Sequence, residues 1–291
     1  MKPAPFTYHR PVTVDAAVTL LAELGEDAKI LGGGQSLLPI MNMRLAEPEH
    51  LVDVSAIAEL RRWHSDESGI TYGAAVTHGM FEDGLVPDAC RGLLQTAASG
   101  IGYRAIRNRG TIGGSLAHAD SSAEWPTVLA AVDAQVVACS PSGTREIPVR
   151  EFFHGFFSTS LRPDELIIGC RVPEPSDASW WSLVKTNRKA GEFAESLCVV
   201  THGLDADGQV ADANVWLGAA RDVPVQLTQV EGLLNGRPPG DVDLLDVREQ
   251  VAADLDSGWD DLAPAERHRV QIHSVTTQRA ANSTRKVLPH E

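Results

Sequence analysis

Leu31-Gly32-Gly33-Gly34-Gln35-Ser36 is answered further along the chain by Arg109-Gly110-Thr111-Ile112-Gly113-Gly114-Ser115. Both runs read as small-residue loops. Residues without Cβ let the backbone approach a ligand closely, and successive free N–H groups in such loops form concave nests for phosphate oxygens. Gln35, Ser36, Thr111 and Ser115 add neutral side-chain donors. The two runs are therefore expected to act as jaws on one anionic cofactor.

Composition narrows what that cofactor site serves. The 291 residues are 43% hydrophobic and 22% charged, which suits an ordinary globular protein with a sizeable core. No window is apolar for long enough to span a membrane, and Met1-Lys2-Pro3-Ala4-Pro5-Phe6 lacks the apolar core of a secretory signal, so the expected location is the cytoplasm. A formal net charge of −14 argues against nucleic acid and anionic lipid as partners. It also means that a bound anion must be held by local backbone donors. Arg104, Arg107 and Arg109 precede the second run; they read equally as a local offset to that repulsion or as a solvated turn. Cys90, Cys139, Cys170 and Cys198 lie far apart with no C-x-x-C pair, which gives neither a zinc site nor an iron–sulfur cradle. Any iron–sulfur chemistry must come from another chain.

Outward from the first run, Thr13 is placed to cap a helix whose Val14, Ala17, Val18, Leu21 and Leu24 share one face, with Gly25 ending it. Ala28–Leu31 reads as a strand that delivers the glycine run. Leu37 to Leu45 reads as a short buried helix stopped by Pro48, and Leu51-Val52-Asp53-Val54 as a second strand. Strands are expected over Ile70–Val76, Gln135–Cys139, Arg145–Val149 and Leu166–Val172, and helices over Cys90–Ser99 and Thr127–Val132. The cluster Pro173-Glu174-Pro175-Ser176-Asp177 marks a domain boundary. Beyond it, Trp180–Lys185, Ser196–His202 and Val210–Gly218 suggest an antiparallel sheet with a hairpin at Asp205-Ala206-Asp207-Gly208. Helices follow over Leu244–Leu255 and about Val270–Val287. Trp180-Trp181 is the pair expected to face a partner chain.

Strand, Gly32-Gly33-Gly34, helix, strand and Asp53 loosely follow the dinucleotide fingerprint of a βαβ unit. The third glycine of that pattern would fall at Leu37, however, and Pro39 interrupts the helix. A Walker loop lacks its Gly-Lys-Ser/Thr. His118, Asp120 and Glu124 match no standard metal-ligand spacing and read better as a polar cofactor edge or helix cap.

Residues 107–117, Arg-Asn-Arg-Gly-Thr-Ile-Gly-Gly-Ser-Leu-Ala, taken with Gly33-Gly34-Gln35-Ser36-Leu37-Leu38-Pro39, resemble the FAD-binding medium subunit of the molybdenum hydroxylases, a family that includes xanthine dehydrogenases and aerobic carbon monoxide dehydrogenases. Lys29-Ile30-Leu31, Leu51-Val52-Asp53-Val54, Asp164-Glu165-Leu166-Ile167 and Gly191-Glu192-Phe193-Ala194 extend the resemblance over essentially the whole chain. It implies an α+β fold: a two-lobed FAD-binding domain of the PCMH/vanillyl-alcohol-oxidase type over residues 1–175, with lobes about 1–58 and 59–175, then a smaller α+β carbon-monoxide-dehydrogenase-flavoprotein-like domain over 176–291. It further implies that Leu31, Gly32, Gly33, Gly34, Gln35, Ser36 and Leu37, with Thr111, Gly113, Gly114 and Ser115, hold the pyrophosphate and ribityl region of a noncovalent FAD. Asp120 joins that edge, Glu124 stands where the family usually has an aspartate bonding the ribityl chain, Ile167 packs against the isoalloxazine, and Lys185 lies nearby. Ser115 replaces the usual asparagine, Gly32 the common alanine and Glu192 the common aspartate.

By the same resemblance the chain passes electrons from [2Fe–2S] clusters on a small partner through FAD to an external acceptor. The molybdenum cofactor sits on a large partner, in a dimer of heterotrimers. No side chain here is expected to be a catalytic nucleophile or base, and none to bind metal. Gly113 to Asp120 looks like the version found in hydroxylases of N-heterocyclic compounds. Two other classes compete: a self-sufficient FAD-dependent oxidase or dehydrogenase, and a scaffold that has lost its flavin.

Overall fold

The computed structural model describes residues 2–175 and 179–283, together with the strand Arg285–Lys286. Ser176 and Asp177 of the boundary cluster, and Val287 at the expected end of the last helix, lie outside the described residues. Helix and sheet are mixed throughout, and the chain divides into two compact units. One draws on the chain up to Pro87, on Tyr103–Ala119 and on Asp133–Pro173; the other on Asp88–Gly102, Asp120–Val132 and the chain from Glu174 onwards.

In the first unit, three parallel strands lie in the order Thr7–His9, His50–Asp53, Ala28–Leu31. Parallel strands need a crossover, and the Val14–Leu24 helix supplies the one that joins the two outer strands. The Thr13 hydroxyl accepts from the Ala16 N–H at 3.2 Å, and the Gly25 N–H closes the other end on the Leu21 carbonyl. Ala17, Val18 and Leu21 bury their stripe against Ala28, Val52 and Val54, as the helical spacing requires. An antiparallel sheet follows in the order Trp63–Asp66, Gly69–Gly73, Leu166–Val172, Gln135–Ser140, Gly143–Pro148.

The segment expected as a buried helix to Leu45 is shorter and more exposed. The helix runs Leu37–Asn42, buries Met41 alone, and leaves Leu38, Met43 and Leu45 in solvent. Arg44 takes a positive φ of 57°, which stops helical growth before Pro48 is reached.

The second unit is built on an antiparallel sheet ordered Val225–Gln226, Val210–Gly218, Ser196–Leu204, Trp180–Thr186, Arg285–Lys286. The helix Pro264–Ala281 is anchored to it by the Ser182 hydroxyl donating to the Ala280 carbonyl at 2.6 Å, and by Thr186 and Thr276 at 2.7 Å. This helix starts six residues before the expected Val270, because Pro264 suits the first turn and the Glu266 carboxylate accepts from the Ala263 N–H. The helix Glu124–Ala131 offers its last carbonyl to Asn214 Nδ2 at 2.8 Å and to the Thr201 hydroxyl at 3.3 Å. The helix Thr228–Leu234 carries little sequence signal, because Gly232 in its middle lowers its helix propensity. Trp181 is buried and Trp180 stacks on His202 at 6.1 Å, so both rings are largely used within the unit. Among the described residues no helix is long and apolar enough to cross a membrane.

His78 begins the short helix His78–Glu82 and donates its backbone N–H to the Gly110 carbonyl at 3.0 Å. Burial, with the Arg107 charge adding to it, pushes its pKa down to about 3. The folded state therefore keeps the ring neutral, while the unfolded chain takes up a proton below about pH 6.5. Stability from this group is complete above that value and drains away as pH falls towards 3. Urea unfolding from pH 7 to 4 is expected to show a loss approaching about 1.4 kcal/mol per pH unit from this proton. His78→Gln should lack that component.

Candidate cofactor site

The strand Ala28–Leu31 pairs in parallel with His50–Asp53, and the Val54 N–H closes the ladder on the Leu31 carbonyl at 3.1 Å. The chain leaves this fixed edge directly into Gly32. Gly34 has φ of +72°, a left-handed conformation that turns the run back into the Leu37–Asn42 helix. Through Gly32, Gly33, Gly34, Gln35 and Ser36, no backbone N–H takes a partner among the described residues. These are half-buried groups, apart from exposed Gln35. Five successive donors without acceptors are costly unless a ligand or solvent satisfies them, and their concentration suits a phosphate.

The second run is brought directly against the first. A Cβ on Gly33 would lie well inside contact distance of the Arg109 carbonyl oxygen and 2.7 Å from the Gly110 Cα. A Cβ on Gly32 would lie 3.2 Å from Thr111 Oγ1. Gly33 is thus small because protein backbone passes beside it. Gly113 likewise sits on Ala74, whose carbonyl would be 2.7 Å from an added Cβ.

The second run is also not the loop expected. Ile112–His118 is a helix, and the Thr111 hydroxyl caps it by accepting from the Gly114 N–H at 3.0 Å. Gly113, Gly114 and Ser115 form its first turn, with Gly114 exposed and Ser115 half-buried. Two of the expected ligand donors also have local duties. Thr111 is the cap, and Gln35 Nε2 donates back to the Gly33 carbonyl at 3.0 Å.

The arginines divide. Arg104 pairs with Glu82 and Asp83 at 2.7 and 2.5 Å, and Arg107 pairs with Glu82 at 2.7 Å. The Arg107 contact, against some desolvation and with help from Arg104, holds the Glu82 carboxyl below its usual range. Arg109 is exposed and has no ion-pair partner among the described residues. Ile167 is 4% exposed, in the strand Leu166–Val172 opposite Ala138.

In the sequence Asp53 stands out only as the acid of the dinucleotide fingerprint. It accepts from the Tyr8 hydroxyl and from the Ser55 N–H at 2.8 Å. Burial raises its pKa, but these bonds more than offset that and hold the carboxyl low. The tie between Tyr8 and Asp53 has no sequence signal, since the two are joined only by strand register.

The second unit carries Asp120, Glu124 and Lys185. The Asp120 carboxylate accepts from the Ser122 N–H at 2.8 Å. Glu124, 3% exposed at the start of its helix, receives Lys185 Nζ at 2.6 Å, and the same ammonium donates to the Gly100 carbonyl at 3.1 Å. Desolvation raises the Glu124 pKa, with Lys185 opposing it. Among the described residues no group of three or more His, Cys, Asp or Glu side chains is placed to hold a metal ion, and His118 stacks on Phe157 at 4.9 Å.

A strand-delivered run of free N–H groups, locked against a capped helical turn, defines a protein that binds an anionic cofactor. Residues 4–175 match the family described as the FAD binding domain in molybdopterin dehydrogenase. The chain is 40% identical over 200 residues to the carbon monoxide dehydrogenase medium chain of Hydrogenophaga pseudoflava, covering 69% of this chain and 70% of that one. It is 32% identical over 281 residues to caffeine dehydrogenase subunit beta of Pseudomonas sp. (strain CBB1), covering 96% and 95%. A solved structure of carbon monoxide dehydrogenase from Hydrogenophaga pseudoflava, lacking the Mo-pyranopterin moiety of the molybdenum cofactor, superposes with TM-score 0.85 at 34% identity, covering 97% and 98%. The chain belongs to the FAD-binding medium subunits of the molybdenum hydroxylase family, and is an oxidoreductase subunit.

Three substitutions test the geometry. Gly33→Ala forces backbone apart and should cost about 3 kcal/mol in urea unfolding. Gly232→Ala, whose Cβ would meet nothing within 4 Å in its helix, should stabilise by about 0.5–1 kcal/mol. Lys185→Met strands a buried carboxylate and should cost about 3 kcal/mol at pH 8. Because the Glu124 pKa then rises further, the penalty should shrink at pH 5, where the neutral acid is the favoured folded form.

Proposed function

We propose that this chain is the FAD-carrying electron-transfer subunit of a heterotrimeric molybdenum hydroxylase, taking electrons from [2Fe–2S] clusters on a small partner and passing them to an external acceptor. Hydroxylation belongs to a large molybdenum-binding partner, and the assembly is a dimer of heterotrimers in the cytoplasm. The observation that carries this reading is the run of partnerless N–H groups from Gly32 to Ser36, set against the capped turn at Thr111–Gly114. Those donors fit a pyrophosphate, and unpaired Arg109 beside them suits an anion on an acidic chain.

When bound, FAD supplies both one- and two-electron chemistry; the chain's part is to bind, orient and shield it. Leu31–Leu37, Thr111 and Gly113–Ser115 would hold the pyrophosphate and ribityl region. Asp120, Glu124, Ile167 and Lys185 are assigned to the flavin from the resemblance. Roughly five charge-assisted hydrogen bonds at about 1.5–3 kcal/mol each approach the ~12 kcal/mol of nanomolar affinity, so no covalent link is needed. We assign the PCMH-type, two-lobed fold to residues 1–175 and the carbon-monoxide-dehydrogenase-flavoprotein-like domain to 176–291. The names of relatives span carbon monoxide and caffeine; the Gly113–Asp120 run favours an N-heterocyclic substrate for the complex.

Affinity purification of the chain from its native host, with a visible spectrum and metal analysis, tests the assignment. Flavin on this chain, with iron and molybdenum on two co-purifying chains, is expected. Flavin alone, reduced when a donor is added to the single chain, would overturn the subunit reading in favour of a self-sufficient oxidoreductase. Gly114→Asp places a carboxylate on the exposed turn, where an added Cβ would lie 2.8 Å from Thr111 Oγ1, so the Thr111 cap must shift locally. Repulsion of a few kcal/mol should weaken FAD binding by on the order of 100-fold while leaving the circular dichroism spectrum intact. Full flavin occupancy in that variant would sink the loop assignment.

A further inference from the structure

His9 ends the edge strand of the parallel sheet, and His50 begins its middle strand. The register pairs Thr7 with His50 and His9 with Val52, so alternation puts both histidines on one face of the sheet as diagonal neighbours. His9 Nε2 and His50 Nδ1 lie 3.1 Å apart, with ring centroids at 5.2 Å and planes tilted by 46°. One of these nitrogens donates to the other, so a lone pair already points between the rings. Both residues are half-buried, and His9 also lines an open cleft of about 550 Å³. The same cleft is walled by Asp15 and Glu23 of the Val14–Leu24 helix and by Arg10.

That separation is the bite a single chelated metal ion needs. Two imidazole nitrogens about 2.1 Å from one ion and 3.1 Å from each other subtend about 95° at it. Such an angle suits a square-planar or tetragonal site, the geometry of Cu²⁺ and Ni²⁺, whereas tetrahedral Zn²⁺ would spread the nitrogens to about 3.4 Å. Small turns about χ2, a soft torsion in histidine, aim both lone pairs at a common point. Among the described residues no third His, Cys, Asp or Glu completes the set, so water from the cleft takes the remaining positions. The net charge of −14 draws cations towards the chain. We propose that His9 and His50 form a two-histidine chelate for a divalent transition-metal ion, Cu²⁺ first, which clips the edge strand to the middle strand. This site does not rest on the FAD reading.

The test titrates Cu²⁺ into the metal-free full chain, followed by calorimetry and electron paramagnetic resonance. One Cu²⁺ per chain with hyperfine structure from two nitrogens is expected, and Ni²⁺ and Zn²⁺ should bind more weakly. His50→Ala should weaken Cu²⁺ binding by at least about 10- to 100-fold, the loss that even outer partners of a metal site produce. His9→Gln can still hydrogen-bond to His50 but is a poor Cu²⁺ ligand, so it should lose the ion to the same degree while keeping the circular dichroism spectrum of the unaltered chain. His64→Ala, in the other sheet, should bind Cu²⁺ as the unaltered chain does. Absence of Cu²⁺ binding by the unaltered chain, or undiminished binding by His9→Gln and His50→Ala, would overturn the chelate.

Discussion

The contact on which the site depends is backbone against backbone: Gly33 beside the Arg109 carbonyl and Gly110. No side chain can stand between the two runs, so their spacing is set by main-chain geometry. Each run is then fixed from behind. The first leaves a strand paired to Asp53, and the second is held by the His78 N–H on the Gly110 carbonyl and by Gly113 on Ala74. Rigid support of this kind keeps the Gly32–Ser36 donors directed without a ligand, and preorganised donors lose little freedom when an anion arrives.

Charge explains why backbone carries this task. At −14 the chain repels anions at long range, and Arg104 and Arg107 are already neutralised by Glu82 and Asp83. Main-chain N–H groups bring partial positive charge without needing counter-charges of their own. The other unit handles charge differently, burying Glu124 with Lys185. Desolvation makes such a pair a weak net contributor to stability but an expensive one to break, so its value lies in holding one arrangement.

Much of the framework was legible locally. The Thr13 cap, the Val14–Leu24 stripe, the strand before Gly32 and the Asp205–Gly208 hairpin all follow from neighbours within one turn or one pleat. Where reading failed, a competing contact won. Gly113 and Gly114 suggest loop by propensity, yet the Thr111 cap and the support of Ala74 make them the first turn of a helix. The apolar run Leu37–Leu45 suggests burial, yet Arg44 turns left-handed and most of the run stays in solvent.

The sequence by itself determined that two small-residue runs exist, that a strand leads into the first, and that their pattern is that of an FAD-binding medium subunit. Such properties depend on residue type and short-range order. Only the tertiary structure decided that Gly33 is small for the sake of Arg109, that Glu124 is matched to Lys185, and that Tyr8 is tethered to Asp53. These pairings join residues separated by tens of positions, and the register and packing that bring them together are set by the whole fold.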